Sequence, residues 1–160
     1  MTREKIGAVE RVDAALEALG IEARIREFAA STRTAEDAAA AIGTSVAQIV
    51  KSLVFLSGEA PVLVLMSGSN RLDPDRLAAI TGARIRKAEA DLVRTATSYA
   101  IGGVPPIGFP APLPTFIDRD LTGYDVLWAA AGTPRHVFPL APSELLRATA
   151  GTVADLKLLA

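Results

Sequence analysis

KSLVFLSGEAPVLVLMSG, residues 51–68, places two apolar, β-prone runs on either side of a turn-rich segment from Ser57 to Pro61. Two such runs joined by a short glycine-containing link predict a β-hairpin, and this one belongs at the centre of a sheet. With Lys51 as the first residue of the strand, alternation puts it on one face with Leu53 and Phe55, and Ser52, Val54 and Leu56 on the other. A cation therefore shares an apolar face. Two readings stay open: a strand-end lysine whose ammonium reaches water by snorkelling, or an amine held in a cleft to meet an anionic or carbonyl oxygen.

Before the hairpin, Val9, Val12, Leu16 and Leu19 recur at helical spacing from Lys5 onward, and Gly20 is placed to stop the helix. Ala23 to Phe28 alternates like a short, half-exposed strand. In STRTAEDAAAAIG, Thr34 can cap a short helix that Gly43 closes, and Thr44 can cap a further turn through Val46 and Ile49. After the hairpin, SGSNRL (67–72) is a polar loop, and Asp73-Pro74 opens a helix running to Gly82. Arg84, Arg86 and Lys87 form a basic trio, read either as a solvated edge strand or as an RNA contact, and Ala88 to Thr95 predicts another short helix. TFID is a strand ending in Asp118. VLWAAAG and PRHVFPL predict a strand pair turning at Gly132 to Pro134, a last helix starts at Ala141-Pro142 and is ended by Gly151, and TVADLKLL adds a final strand.

One loop combines freedom with rigidity. In IGGVPPIGF (101–109), Gly102 and Gly103 can leave backbone N–H groups uncovered, while Pro105 and Pro106 stiffen the second half of the loop. Ile101, Val104, Ile107 and Phe109 should pack this loop onto a core. Composition alone fits an idle rigid turn as well as a loop presenting donors to a ligand.

The totals narrow the chemistry. A chain of 160 residues with 22% charged residues fits one globular domain, and no composition break marks a second. With no cysteine and one histidine, disulfides, thiolate catalysis and cysteine or histidine metal clusters are excluded. The amino terminus lacks a signal-peptide core and no run reaches membrane-span length, so a cytoplasmic protein with no membrane partner is expected. A net charge of −1 argues against DNA binding and for few phosphate contacts with any RNA, hence a shallow salt dependence. No GxxxxGK[ST], GxGxxG or GxSxG motif occurs. His136 alone reads as a strand residue more readily than as a base, and the acid pairs Asp73/Asp75 and Asp118/Asp120 read as turn chemistry.

Taken together, STRTAEDAAAAIG, QIVKSLVF, SGSNRLD, AIGGVPPIGF, FIDRDL, WAAAGTPRHVF, PSELLRAT and VADLK resemble the YbaK/ProX family of aminoacyl-tRNA deacylases, from about Ser31 to Lys157. The resemblance implies a mixed α/β (α+β) fold over residues 1–160, a curved, largely antiparallel or mixed sheet surrounded by helices. It also implies a free-standing enzyme that hydrolyses the ester joining a small wrong amino acid, such as alanine or cysteine, to tRNA(Pro). Mischarged tRNA is then the partner, with prolyl-tRNA synthetase as a possible second one, and no cofactor or metal is implied. By motif, the family's active-site lysine falls on Lys51 and its GxxxP loop on Gly102, Gly103, Val104, Pro105 and Pro106. Asp118 is placed beside the pocket, Ser67 and Asn70 come in with their loop, and Ser52 stands where other members carry threonine or asparagine. His136 is a further candidate, from the segment where some alanine-specific members use a histidine.

The implied chemistry suits these residues. An aminoacyl ester is already activated, so the site must bind the terminal adenosine, orient a water and stabilise an oxyanion, without a protein nucleophile. Gly102 and Gly103 N–H groups are assigned to the carbonyl or its oxyanion, Lys51 to the terminal phosphate or carbonyl oxygen, and water activation to a substrate group. The rival readings are a non-catalytic binder of aminoacyl-adenosine or a nucleotide, and a deacylase of another mischarged tRNA.

Overall fold

A computed structural model describes residues 7–32 and 34–159. Among them are five α-helices and eight strands, in the order α1 Ala8–Ala18, β1 Arg26–Glu27, α2 Ala35–Ile42, β2 Ile49–Ser57, β3 Ala60–Ser67, α3 Pro74–Thr81, β4 Ile85–Lys87, α4 Ala90–Thr97, β5 Thr115–Asp118, β6 Leu127–Ala130, β7 His136–Leu140, α5 Pro142–Thr149 and β8 Thr152–Ala154. The strands form one mixed sheet in the order β1-β7-β6-β2-β3-β5-β8, with β4 also pairing β2. The mixed α/β architecture expected from the sequence is the one observed. Antiparallel pairings (β1–β7, β2–β3, β2–β4, β6–β7) are combined with parallel ones (β2–β6, β3–β5, β5–β8).

The hairpin lies at the centre of that order. β2 and β3 pair from Val50↔Ser67 to Ser57↔Ala60 around the turn at Gly58 and Glu59, and β2 begins at Ile49, two residues before the expected start. Alternation then sorts the side chains into two layers. Val50, Val54, Leu63, Leu65, Ala129 and Phe138 pack with Val12 and Leu16 of α1, Val93 of α4 and Leu145 of α5. On the other face, Leu53, Phe55, Val62, Val64 and Met66 pack with Leu77 of α3, and Ile49 and Trp128 with Ala38 and Ala39 of α2. Each fully buried aliphatic side chain in these layers is worth roughly 1.5–3 kcal/mol against exposure.

Local signals set most boundaries. Thr34 Oγ accepts the Asp37 N–H at 3.0 Å and Gly43 closes α2, as expected. Asp73 caps α3, with Pro74 in its first turn. Four expectations need correction. The strand at Ala23 to Phe28 contracts to Arg26–Glu27, because β7 offers only Val137 and His136 as ladder partners. The further turn is a single 3₁₀ turn, Val46–Gln48, but Ser45, not Thr44, stands at its start, and the Thr44 hydroxyl bonds Gln48 Oε1 at 3.0 Å. The helix placed at Ala88 to Thr95 runs two residues later, Ala90–Thr97. The last helix is closed by Ala150 at φ 51°, not by Gly151. A Cβ at Gly151 would lie 2.8 Å from Ile117 Cδ1, so the Ile117 side chain would have to shift to admit one. Lys5, from which the first helix was expected, lies outside the described residues, and α1 begins at Ala8.

Candidate active site

β2 is covered unevenly along the edge that faces away from β3. β6 pairs with it at Ile49 and Val50, and β4 pairs with it at Phe55 to Ser57. Between them, among the described residues, no strand covers Lys51 to Val54 on that side, and a cavity of about 950 Å³ occupies the gap. Lys51, Ser52, Asn70, Gly102 and Val104, all singled out in the sequence, line it. Buried Val54, Val93 and Val104 form apolar wall, while exposed Arg71 and Lys87 add positive charge to that of Lys51. Glu36, near the start of α2, is the one acidic side chain lining it among the described residues.

Lys51 is half-buried, and its ammonium donates to the backbone carbonyl of Asn70. Burial holds its pKa below the ordinary lysine value, with Glu36 and Asp118 opposing that shift and Arg71 reinforcing it. Its charge is kept at a cavity wall beside a carbonyl, and among the described residues no carboxylate lies within salt-bridge distance. An incoming anion or carbonyl oxygen would find a cation with little competition.

Asp118 organises the loop that holds Lys51. It is 1% exposed at the end of β5 and does not line the cavity. Its Oδ2 accepts the Ser67 N–H at 3.0 Å and the Asn70 side-chain amide at 2.8 Å, and its Oδ1 accepts the Asp120 N–H at 3.0 Å. Ser67 is also buried and donates its hydroxyl to the Ala47 carbonyl at 2.7 Å. The Asn70 amide reaches Asp120 Oδ2 at 2.9 Å as well, and Lys157 Nζ lies 2.9 Å from the same oxygen. The Asn70 amide, then Lys157, hold the Asp120 carboxyl below its ordinary pKa, and Asp120 raises that of Lys157. Ser67 and Asp118 thus support the site from behind, and Asn70 links that support to Lys51.

The glycine–proline loop divides its labour. Gly102, at φ 95°, lines the cavity, but the Gly103 N–H donates to the Ala100 carbonyl at 3.0 Å and so is not a free donor. What position 103 requires is the absence of a side chain: a Cβ would lie 2.7 Å from Thr133 Cα and 2.8 Å from the Gly132 carbonyl oxygen. Pro105 and Pro106 are buried behind Val104 and form no part of the cavity wall. Tyr99 braces the far end, its hydroxyl donating to the Gly108 carbonyl at 3.0 Å and its ring meeting Phe109 edge-on.

His136 is not brought to this cavity. Across β1 and β7, Val137 pairs with Arg26 and faces the cavity, whereas His136 pairs with Glu27 and faces the other way. There it lines a separate shallow depression with Glu10, Asp13 and Glu27, its Nε2 3.9 Å from the Glu27 carboxylate. Sequence reasoning passed over Arg71, Trp128 and Thr32, which do line the cavity. Arg71 directly succeeds Asn70 in the SGSNRL stretch, and the lone tryptophan was a signal available in the sequence.

The central strand of a mixed sheet is thus left uncovered beside a lysine-lined, cation-rimmed cleft. Residues 29–148 match the aminoacyl-tRNA editing domain family, and the chain belongs to it. It superposes with a TM-score of 0.92 on the crystal structure of "a putative trans-editing enzyme for prolyl tRNA synthetase", at 47% identity over 98% of this chain and 100% of that one. It is 28% identical over 125 residues, 77% of this chain and 76% of the other, to the Enterococcus faecalis protein named "Putative Cys-tRNA(Pro)/Cys-tRNA(Cys) deacylase EbsC". It is also 33% identical over 92 residues to a proline–tRNA ligase of Geobacter sp. (strain M21), covering 57% of this chain and 16% of the ligase. Among the described residues, no helix is long and apolar enough to cross a membrane.

Proposed function

We propose that this protein removes a small, wrongly attached amino acid from tRNA(Pro), acting in trans on the charged tRNA. The observation that carries this reading is the cavity itself, which joins a half-buried lysine and two exposed cations to a wall of buried valines. A terminal ribose-phosphate needs the first feature, and a small side chain needs the second. The relatives named for Cys-tRNA(Pro) deacylation and for prolyl-tRNA synthetase trans-editing support the choice of tRNA.

In the reaction, water adds to the ester carbonyl carbon, the bond from that carbon to the ribose oxygen breaks, and the ribose oxygen takes up a proton. The products are the free amino acid and tRNA with a free 3′ end. Lys51 holds the terminal phosphate or the carbonyl oxygen, and the Gly102 N–H faces the developing oxyanion. The proton of the attacking water goes to a substrate group, a ribose hydroxyl or the α-amine, as His136 lies outside the cavity and Asp118 is engaged behind it, and Glu36 at the start of α2 is the acid to test as a rival base. Selection by an apolar wall separates amino acids one methylene apart by about 1–3 kcal/mol, so several small residues should be accepted.

The test is a panel of tRNA(Pro) and other tRNAs charged with alanine, cysteine, serine or proline, followed for loss of the ester. Hydrolysis confined to small residues on tRNA(Pro) is the expected pattern. Equal hydrolysis on every tRNA would remove the tRNA(Pro) assignment, and none on any would remove the enzymatic one.

A further inference from the structure

We propose that the amino acid being removed binds as a one-residue extension of the sheet, its α-ammonium and ester carbonyl pairing with the backbone of Ser52. The inference rests on the editing function above and assigns the groups that recognise the aminoacyl unit.

The register fixes which backbone groups face the cavity. The Gly68 N–H donates to the Ile49 carbonyl at 2.7 Å, so Ile49, and by alternation Lys51 and Leu53, direct their backbone groups toward β3. Val50, Ser52 and Val54 direct theirs to the opposite edge. The Gly58 N–H donating to the Arg84 carbonyl at 2.8 Å shows the same parity where β4 arrives. β6 takes up Val50, and β4 joins from Phe55, which leaves Ser52 as the residue whose N–H and C=O both open into the gap. An uncovered sheet edge is a template for another extended segment.

An aminoacyl ester carries the matching half of that template. Its N–Cα–C=O skeleton is that of a peptide residue, with one strong donor and one acceptor at the spacing of an antiparallel pair. The α-ammonium donates to the Ser52 carbonyl, and the Ser52 N–H donates to the ester carbonyl. That oxygen has a second lone pair, which the Gly102 N–H can meet, so the two N–H groups together form the oxyanion site.

This pairing also orients the substrate. Side chains of a directly opposed antiparallel pair lie on the same face, so an L-amino acid points its side chain to the Ser52 and Val54 face, toward buried Val93 and Val104. Ser52 Oγ, buried with no hydrogen-bond partner among the described residues, belongs to that face too. Lys51 lies on the other face, free for the ribose-phosphate. A D-amino acid held by the same two bonds would turn its side chain toward Lys51.

The experiment uses the full ¹⁵N-labelled chain and 3′-alanylamino-3′-deoxyadenosine, in which an amide replaces the ester. At saturation, the Ser52 amide hydrogen should exchange at least about 10-fold more slowly, and the propionyl analogue, lacking the α-amine, should bind about 10-fold or more weaker, the loss of one charge-assisted hydrogen bond. If the Lys51 and Gly102 signals shift while Ser52 exchange is unchanged, the pairing is wrong and the editing function stands. Equal affinity for the D-alanyl analogue would also overturn it. Absence of binding by every analogue, with no hydrolysis of any charged tRNA, would overturn both.

Discussion

Replacing Asp118 by asparagine tests whether a residue outside the cavity builds it. The carboxylate is 1% exposed and accepts bonds of 3.0, 2.8 and 3.0 Å, from the Ser67 N–H, the Asn70 amide and the Asp120 N–H. An asparagine has one acceptor oxygen. Placed at the Oδ2 position, it keeps the bonds from Ser67 and Asn70 and turns its own NH₂ against the Asp120 N–H; placed at Oδ1, it loses two bonds. The better orientation loses one charge-assisted bond, worth about 2 kcal/mol, and weakens two others by about 1 kcal/mol each as they become neutral pairs, for a total of about 3–4 kcal/mol. For a domain of this size that lowers Tm by about 6–16 °C. Urea unfolding should show a shifted midpoint at unchanged slope. Well below the new Tm, deacylation should fall by about 10-fold, because the weakened bond to the Asn70 amide lets the Asn70 carbonyl hold the Lys51 ammonium less firmly. The loss should lie in kcat more than in KM, since Asp118 touches no substrate. A stability loss below about 1 kcal/mol with full activity would mean that the Ser67 to Asn70 loop holds its shape without the carboxylate.

Lys51→Ala should abolish deacylation while leaving the midpoint of urea unfolding nearly unchanged; full activity would remove the lysine from the mechanism. Gly103→Ala places a Cβ 2.7 Å from Thr133 Cα, a backbone contact that cannot rotate away, and should cost about 1–3 kcal/mol in urea unfolding; a neutral result would show that the loop has room to move. Activity corrected for spontaneous hydrolysis should fall as pH rises through the Lys51 pKa, which burial places below the ordinary lysine value, and Lys51→Arg should carry that limb to higher pH; an unmoved limb would assign it to another group. The Asp120–Lys157 pair has a depressed acid and a raised base, so its contribution is fully present between the ordinary aspartate and ordinary lysine pKa values. It is lost as pH falls through the Asp120 value or rises through the Lys157 value, which unfolding of Lys157→Met against the parent across pH would reveal.

The sequence made the hairpin legible because its signal is local: two apolar runs, one turn, and a period of two that also placed Lys51 opposite Ser52. Caps at Thr34 and Asp73 were readable for the same reason. The cavity was not, because it exists only where β6 and β4 approach one edge of β2 and stop short of each other, a long-range pairing that no window of residues contains. His136 shows the same limit. Its neighbour Val137 reaches the cavity and it does not, a distinction that depends on the register of β7 against β1. Gly102 and Gly103 look equivalent in the sequence, and only the Ala100 carbonyl and the Gly132–Thr133 backbone separate a cavity-lining residue from a spacer.

The alternation of β2 also predicts how this chain tolerates changes of length. One residue inserted between Val50 and Leu53 would reverse every later side chain in the strand or every earlier one, sending Lys51 into the layer of Val12 and Leu16 or Val54 out of it. The same insertion at the Gly58–Glu59 turn, at the far end of the hairpin, would lengthen a loop and leave the parity of Lys51 and Ser52 untouched. Deletion and insertion scanning should therefore find the stretch from Ile49 to Phe55 intolerant of any change in residue count, even where single substitutions within it are accepted.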